Sequence, residues 1–248
     1  MTDRGALDLA FMGTGNAFAP GRCWSGFVLN ERHLFDAPPT ALFSLKALDV
    51  PLAAIQTVFV SHFHADHFFG LPFLLLEYAY QTPRTEDLTI VGPPGLEERL
   101  HRLVDFAYPS LWGKDHGYRL RYVEIADGAT GELNGLRYEA VEVEHAGAAL
   151  DCFGFRIGVA GRMLAYTGDS TYCEPLMRLG KGADVLVSDC TYASGFNNPE
   201  HMSFDEVRQL QDRLGGETEI LLTHLGEAPR GAGCRRITVA ADQARYHF

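Results

Sequence analysis

Ser61-His62-Phe63-His64-Ala65-Asp66-His67 (SHFHADH, residues 61–67) is the stretch on which the reading turns. It follows an apolar, β-branched run at 55–60, a composition that suits a strand buried on both faces. The heptapeptide therefore occupies the loop at that strand's C-terminal end. A lone histidine is ordinarily a satisfied packing residue, but three histidines and an aspartate within six positions are not explained by packing. His62 and His64, two apart, can point the same way from an extended loop. Asp66 and His67 follow as the chain turns, and can address a second ion. Imidazole and carboxylate donors suit zinc, and also iron or manganese.

One loop cannot close such a site, and the remaining candidates also lie at strand ends. His145 follows an expected strand at 136–144. Asp169 lies in YTGDS after one at 163–166, and His224 in LLTHLG after one at 219–223. Each alone is a weak signal. Four strand ends delivering His and Asp in sequence form a strong one.

The rest of the chain supplies a frame for these loops. Its 248 residues are 46% hydrophobic and 21% charged, enough to bury a core and too apolar for a disordered polyelectrolyte. Further strands are expected at 7–11, 26–29, 33–35, 88–91, 118–125, 152–159 and 183–188. Helices are expected at 38–48, 71–80, 97–106 and 203–214. Ser203 with Glu206 forms a capping box at the start of the last. With no linker or repeat, residues 1–248 read as one α/β domain of two mixed sheets covered by helices. The net charge of −11 argues against a large polyanionic partner. Five scattered cysteines without CxxC spacing read as reduced thiols. No basic-then-apolar leader opens the chain, and no apolar run is long enough to span a bilayer, so a cytoplasmic setting is expected.

The order HxHxDH, His, Asp, His resembles the metallo-β-lactamase superfamily. That resemblance implies a four-layer αβ/βα sandwich with a dinuclear site at the edge of the sheets. By matching position, His62, His64 and His145 would hold the first metal. Asp66, His67 and His224 would hold the second, and Asp169 would bridge them. Several segments are similar to ribonuclease Z and its relatives: GTGNAFAPGRCWSGFVL at the start, LFDA at 34–37, VGPPGLEERL, ADVLVSDCTYA and EHMSFDEV at 200–207. Together they cover residues 7–226. Two departures stand out. A glycine-rich turn is replaced by Ala37-Pro38-Pro39-Thr40. Only 24 positions separate His145 from Asp169, where tRNA-processing members carry a long arm.

The armless relatives point to hydrolysis of a small phosphodiester, such as a cyclic phosphate or cyclic nucleotide, by hydroxide held between two divalent ions. Asp66 is the candidate to orient that hydroxide. His201 is the candidate to stabilise the phosphoryl oxygens or protonate the leaving group. Asp189 and Asp36 are candidates to hydrogen-bond ligand histidines from behind. His33, His101, His116 and His247 have no motif context. Phe18, Phe68 and Phe69 can line a pocket mouth, with core packing as the default. The alternatives are tRNA 3′-end cleavage, lactone, thioester or β-lactam hydrolysis, a di-iron redox protein, and a non-catalytic binding module. The apolar 68–76 region could contribute to a homodimer.

Overall fold

The computed structural model describes residues 5–114, 117–229 and 236–248. The first half of the chain builds β1 (Asp8–Gly13), β2 (Gly26–Leu29), β3 (His33–Phe35), α1 (Ala41–Ala47), β4 (Thr57–Phe59), α2 (Ala65–Phe68), α3 (Leu71–Tyr80), β5 (Leu88–Gly92), α4 (Leu96–Ala107) and β6 (Leu120–Glu124). The second half builds β7 (Thr130–Leu133), β8 (Leu136–Glu142), β9 (Phe153–Val159), β10 (Arg162–Tyr166), α5 (Pro175–Gly180), β11 (Val185–Asp189), α6 (Phe204–Arg213), β12 (Glu219–Thr223), β13 (Ile237–Val239) and β14 (Arg245–His247).

These strands form two seven-stranded mixed sheets, in the orders β14-β1-β2-β3-β4-β5-β6 and β13-β12-β11-β10-β9-β8-β7. Alternating side chains divide the apolar residues between the two faces of each sheet. In β1, Leu9 and Phe11 face the second sheet, while Ala10 and Met12 face the helices. Residues of α1, α3 and α4 pack with the outer face of the first sheet, and those of α5 and α6 with that of the second. The result is the αβ/βα sandwich expected.

Between the sheets runs an aromatic ladder. Phe11, Phe27, Phe35 and Phe59 are direct cross-strand neighbours on β1 to β4. Phe27 stacks on Phe35 at 4.6 Å and Phe35 on Phe59 at 4.9 Å, while Tyr166 of the opposite sheet meets Phe27 and Phe35 edge-on. Cross-strand aromatic pairs of this kind stabilise a sheet beyond the area they bury.

Strands β3 to β6 run parallel, as do β10 to β13. Because β8 and β10 are both antiparallel to β9, β8 ends at the same edge as β10. The loops after β3, β4, β8, β10, β11 and β12 carry the candidate residues, and ligands bind at this kind of edge in α/β sheets.

Several boundaries differ from the sequence expectation for physical reasons. Helix α1 begins at Ala41 rather than at residue 38, because Pro38 and Pro39 lack an N–H and each disfavours helical backbone in the residue before it. The unforeseen β7, β13 and β14 have three or four residues, and the unforeseen α5 six, too few for periodicity to register. The capping box forms as expected: Glu206 donates its N–H to Ser203 Oγ at 3.2 Å, and Ser203 donates its own to Glu206 Oε2 at 2.8 Å. Cys23, Cys152, Cys173 and Cys190 are unpaired. Cys234 and His116 lie outside the described residues. Among the described residues no helix is long and apolar enough to cross a membrane.

Candidate metal centre

The loop after β4 is stapled at both ends to one dipeptide. At its start, Ser61 donates its N–H to Asp36 Oδ1 at 2.7 Å. At its end, Ala37 N–H reaches the His67 carbonyl and Gly70 N–H reaches the Ala37 carbonyl, each at 2.7 Å. Only glycine fits the last contact, since a Cβ on Gly70 would lie 2.1 Å from the Pro38 carbonyl oxygen. Asp36 itself takes a left-handed backbone, φ +57°, which aspartate tolerates better than most residues.

The donor atoms converge in two sets around Asp169. On one side His64 Nδ1 lies 2.9 Å from His62 Nε2 and 3.2 Å from His145 Nε2. On the other, His67 Nε2 and His224 Nε2 each lie 3.6 Å from Asp66 Oδ2. Asp169 Oδ2 stands between the sets, 3.8 Å from His62 Nε2 and His145 Nε2 and 3.2 Å from His67 Nε2 and His224 Nε2. All seven predicted ligands are thus brought together.

The donors fit metal ions rather than one another. Among the described residues, His67 Nε2, His224 Nε2 and Asp169 Oδ1 are buried without a hydrogen-bond partner, an arrangement that costs free energy unless something fills it. The opposite ring nitrogens are tied down. His62 Nδ1 meets Ser61 Oγ at 3.0 Å, His67 Nδ1 meets Asp36 Oδ2 at 2.9 Å, His145 Nδ1 meets the Glu200 carbonyl at 2.7 Å, and His224 Nδ1 meets Thr191 Oγ1 at 2.9 Å. Outer partners of this type orient an imidazole so that its free nitrogen faces a metal. His224 is held at φ +54°, a conformation its surroundings must enforce.

Electrostatics follow this geometry. Burial works against charge on His67, yet the carboxylates of Asp169 and Asp36 raise its pKa well above the usual imidazole value. Burial and the neighbouring His67 hold His62 well below it, and burial and His145 lower His64. Asp169 is fully buried, but the imidazoles of His224 and His67 keep its pKa well below the usual carboxylate range.

Asp36 and Asp189 are the two supports expected behind the site. Asp36 Oδ2 also accepts from Ser61 Oγ at 2.9 Å and from the Tyr166 hydroxyl at 2.6 Å. Asp189, the last residue of β11, accepts from Ser170 N–H, Thr191 N–H and Thr191 Oγ1, and its Oδ2 lies 2.8 Å from His201 Nδ1. The His201 ring sits 4.8 Å from that of His145 and 4.9 Å from that of His224. Burial opposes its charge, but contact with Asp189 pushes its pKa up to about 9.

Sequence reasoning did not assign Ser61, Tyr166 or Thr191. All three lie inside quoted motifs, and only the fold shows which carboxylate or ring each one meets. Of the histidines set aside, His33 is buried in β3, His101 stacks on Trp112 at 4.1 Å, and His247 lies beside Asp8. Of the three phenylalanines, Phe68 is buried as the default expects, whereas Phe69 and Phe18 are exposed, Phe18 at 92%.

Seven His and Asp side chains at the shared edge of an αβ/βα sandwich define a member of the metallo-β-lactamase superfamily, in its ribonuclease Z-like branch. Within it, the chain belongs to the family described as anti-Pycsar protein Apyc1, whose profile matches residues 7–236. It is similar to a ribonuclease Z of Macrococcus caseolyticus, 23% identical over 79% of this chain and 78% of that one. Its fold resembles human short-form tRNase Z (TM-score 0.77, 22% identity, 96% and 98% of the two chains covered). It also resembles a diphosphatase of the PhnP family (TM-score 0.76, 18% identity, 98% of each chain covered).

Proposed function

We propose that the chain hydrolyses a small phosphodiester, of the cyclic phosphate or cyclic nucleotide type, using two divalent ions. The observation that carries this reading is the placement of Asp169 between two convergent donor sets with His201 alongside. His62, His64 and His145 would hold one ion, and Asp66, His67 and His224 the other, with Asp169 shared. Their nitrogen and carboxylate chemistry suits zinc, with manganese or iron as alternatives. When bound, two such ions lower the pKa of water and polarise a phosphoryl oxygen.

The protein's own groups do the rest. Asp66 is partly exposed, 15% accessible, and can accept a hydrogen bond from the attacking water. His201, charged through its contact with Asp189, can donate its Nε2 proton to the departing alkoxide or hold the phosphoryl oxygens. The free, buried cysteines fit a reducing, cytoplasmic setting.

A second reading, tRNA 3′-end processing, draws support from the relatives named ribonuclease Z. Against it, β9 and β10 fill most of the interval between His145 and Asp169, so no gripping arm fits there, and the net charge is −11. The test is hydrolysis of bis-p-nitrophenyl phosphate, 2′,3′- and 3′,5′-cyclic nucleotides and a precursor tRNA, with zinc or manganese added, beside His64→Ala. Diester cleavage that disappears in the variant, with tRNA intact, is expected. Clean tRNA cleavage would favour the second reading. Faster turnover of lactones or thioesters than of any diester would overturn both.

A further inference from the structure

The loop at 193–202, which carries His201, has an apex without an apolar core. Residues 194–200 read Ser-Gly-Phe-Asn-Asn-Pro-Glu, none of them is buried, and Phe196 is 60% exposed. Apolar packing therefore does not fix their shape. At the loop's base, Tyr192 N–H reaches the Met202 carbonyl at 3.2 Å and Phe204 N–H reaches the Tyr192 carbonyl at 2.9 Å. The Tyr192 hydroxyl donates to the Pro199 carbonyl at 3.3 Å.

The apex is held from outside, by the first turn of α6. Glu206 is 2% exposed, and its two carboxylate oxygens have different partners. Oε2 accepts from Ser203 N–H at 2.8 Å, the bond that completes the capping box. Oε1, which a capping box leaves over, accepts from Asn197 N–H at 2.7 Å. Beside it, Asp205 Oδ2 accepts from Gly195 N–H at 2.9 Å, and Ser203 Oγ donates to the Gly195 carbonyl.

The loop delivers two groups to the candidate centre from adjacent positions. The Glu200 carbonyl accepts from His145 Nδ1 at 2.7 Å, and the His201 ring sits against those of His145 and His224. Both depend on a tight turn, in which the Pro199 carbonyl accepts from His201 N–H at 2.7 Å around Glu200, held at φ +62°. Three-residue turns with a left-handed centre are rare and strained. Such backbone persists only where its surroundings over-determine it. Glu200 is exposed, so burial of its own side chain does not supply that hold.

We infer that Glu206 is a positioning residue for the centre: through Asn197 it holds the 193–202 loop against α6, and so sets the place of the His201 ring and of the Glu200 carbonyl behind His145. The His201 part rests on the phosphodiesterase reading, whereas the His145 part needs only a bound metal. A purely structural role, capping α6, uses Oε2 alone, and glutamine completes a capping box as glutamate does. Glu206→Gln therefore separates the two roles. Its one side-chain oxygen can serve Ser203, but Asn197 N–H then meets an NH2 group, which accepts nothing.

The test compares wild type, Glu206→Gln, His201→Ala and the double variant on bis-p-nitrophenyl phosphate at saturating zinc. Zinc affinity is measured alongside, by competition with a chelating dye. Glu206→Gln is expected to lower kcat about 10²-fold with KM held, the scale of an ångström's misplacement of a catalytic group. In the His201→Ala background it should lower kcat no further, because residues that act as a unit are not additive. Its zinc affinity should fall about tenfold, as loss of a ligand histidine's outer partner does. An unchanged kcat, an unchanged zinc affinity, or losses that add in the double variant would each overturn the inference. If wild type cleaves no diester, the phosphodiesterase reading fails on its own account. Zinc affinity then decides alone: a fall in Glu206→Gln upholds the positioning role, and an unchanged value overturns it. Should Glu206→Gln not fold, Asp205→Ala, which frees Gly195 N–H and leaves the capping box whole, takes its place in every arm.

Discussion

The two sheets contribute to the centre in opposite ways. The first sends His62, His64, Asp66 and His67 from one loop after β4. The second sends His145, Asp169 and His224 singly, from the ends of β8, β10 and β12. Behind each stands a buried carboxylate one strand away: Asp36 at the end of β3, Asp189 at the end of β11. Their partners differ. Among the described residues the Asp36 carboxylate bonds to fixed groups, namely Ser61, His67 and a tyrosine from the opposite sheet. Asp189 also holds His201, whose side chain is 17% exposed. On the proposed function, the first half would serve as a frame and the second would keep one group, His201, to meet a substrate.

If that division is right, the largest effect belongs to the second half. His201→Ala is expected to lower kcat about 10²- to 10⁴-fold while the protein binds as much metal as before. Steady-state kinetics beside metal analysis check this, and an equal loss of metal would break the comparison by making His201 part of the frame. In the first half, Asp36→Asn is expected to weaken metal binding about 10- to 100-fold, because His67 loses the charge that orients it. Competition titration with a chelating dye measures that loss, and unchanged affinity would mean the stapled loop holds His67 without help.

The smallest effect contrasts the two ends of the first sheet. His67, at the edge of the candidate centre, is paired with a carboxylate, whereas His33, at the other end of β3, is buried with Nδ1 unpartnered among the described residues. Burial, and then nearby Arg32, push the His33 pKa down to about 4 from 6.5. The unfolded chain therefore takes up a proton that the folded protein refuses, and stability falls as pH drops below 6.5 toward 4. Between about pH 7 and 5.5 this costs about 1 kcal/mol. Denaturant midpoints of His33→Gln should fall less over that range by this amount, and parallel curves for variant and wild type would refute it.

The same asymmetry explains what the sequence disclosed. Four donors crowded into residues 61–67 announce themselves, because nothing in packing asks for them. His145, Asp169 and His224 were legible only through the strands before them, since a strand end is where a lone histidine or aspartate gains meaning. Ser61, Tyr166 and Thr191 stayed silent. A serine or threonine beside a motif is common, and the Tyr166 hydroxyl meets Asp36 across 130 positions of chain, a relation that exists only after the sheets pack. The elements missed, such as β7 and α5, were too short to show a period. Phe18 escaped the core-packing default because a stretch rich in glycine and polar residues folds around backbone hydrogen bonds rather than around its aromatic side chains.

The staple of the 61–70 loop onto Asp36 and Ala37 has a consequence in time. Because both ends of the loop are closed by backbone hydrogen bonds to the same two residues, its shape does not wait for an ion. Sites assembled only when metal arrives couple loading to folding. An arriving ion would here meet donors already posed, so the pace of loading is expected to follow how fast the ion sheds its water rather than how fast the chain rearranges.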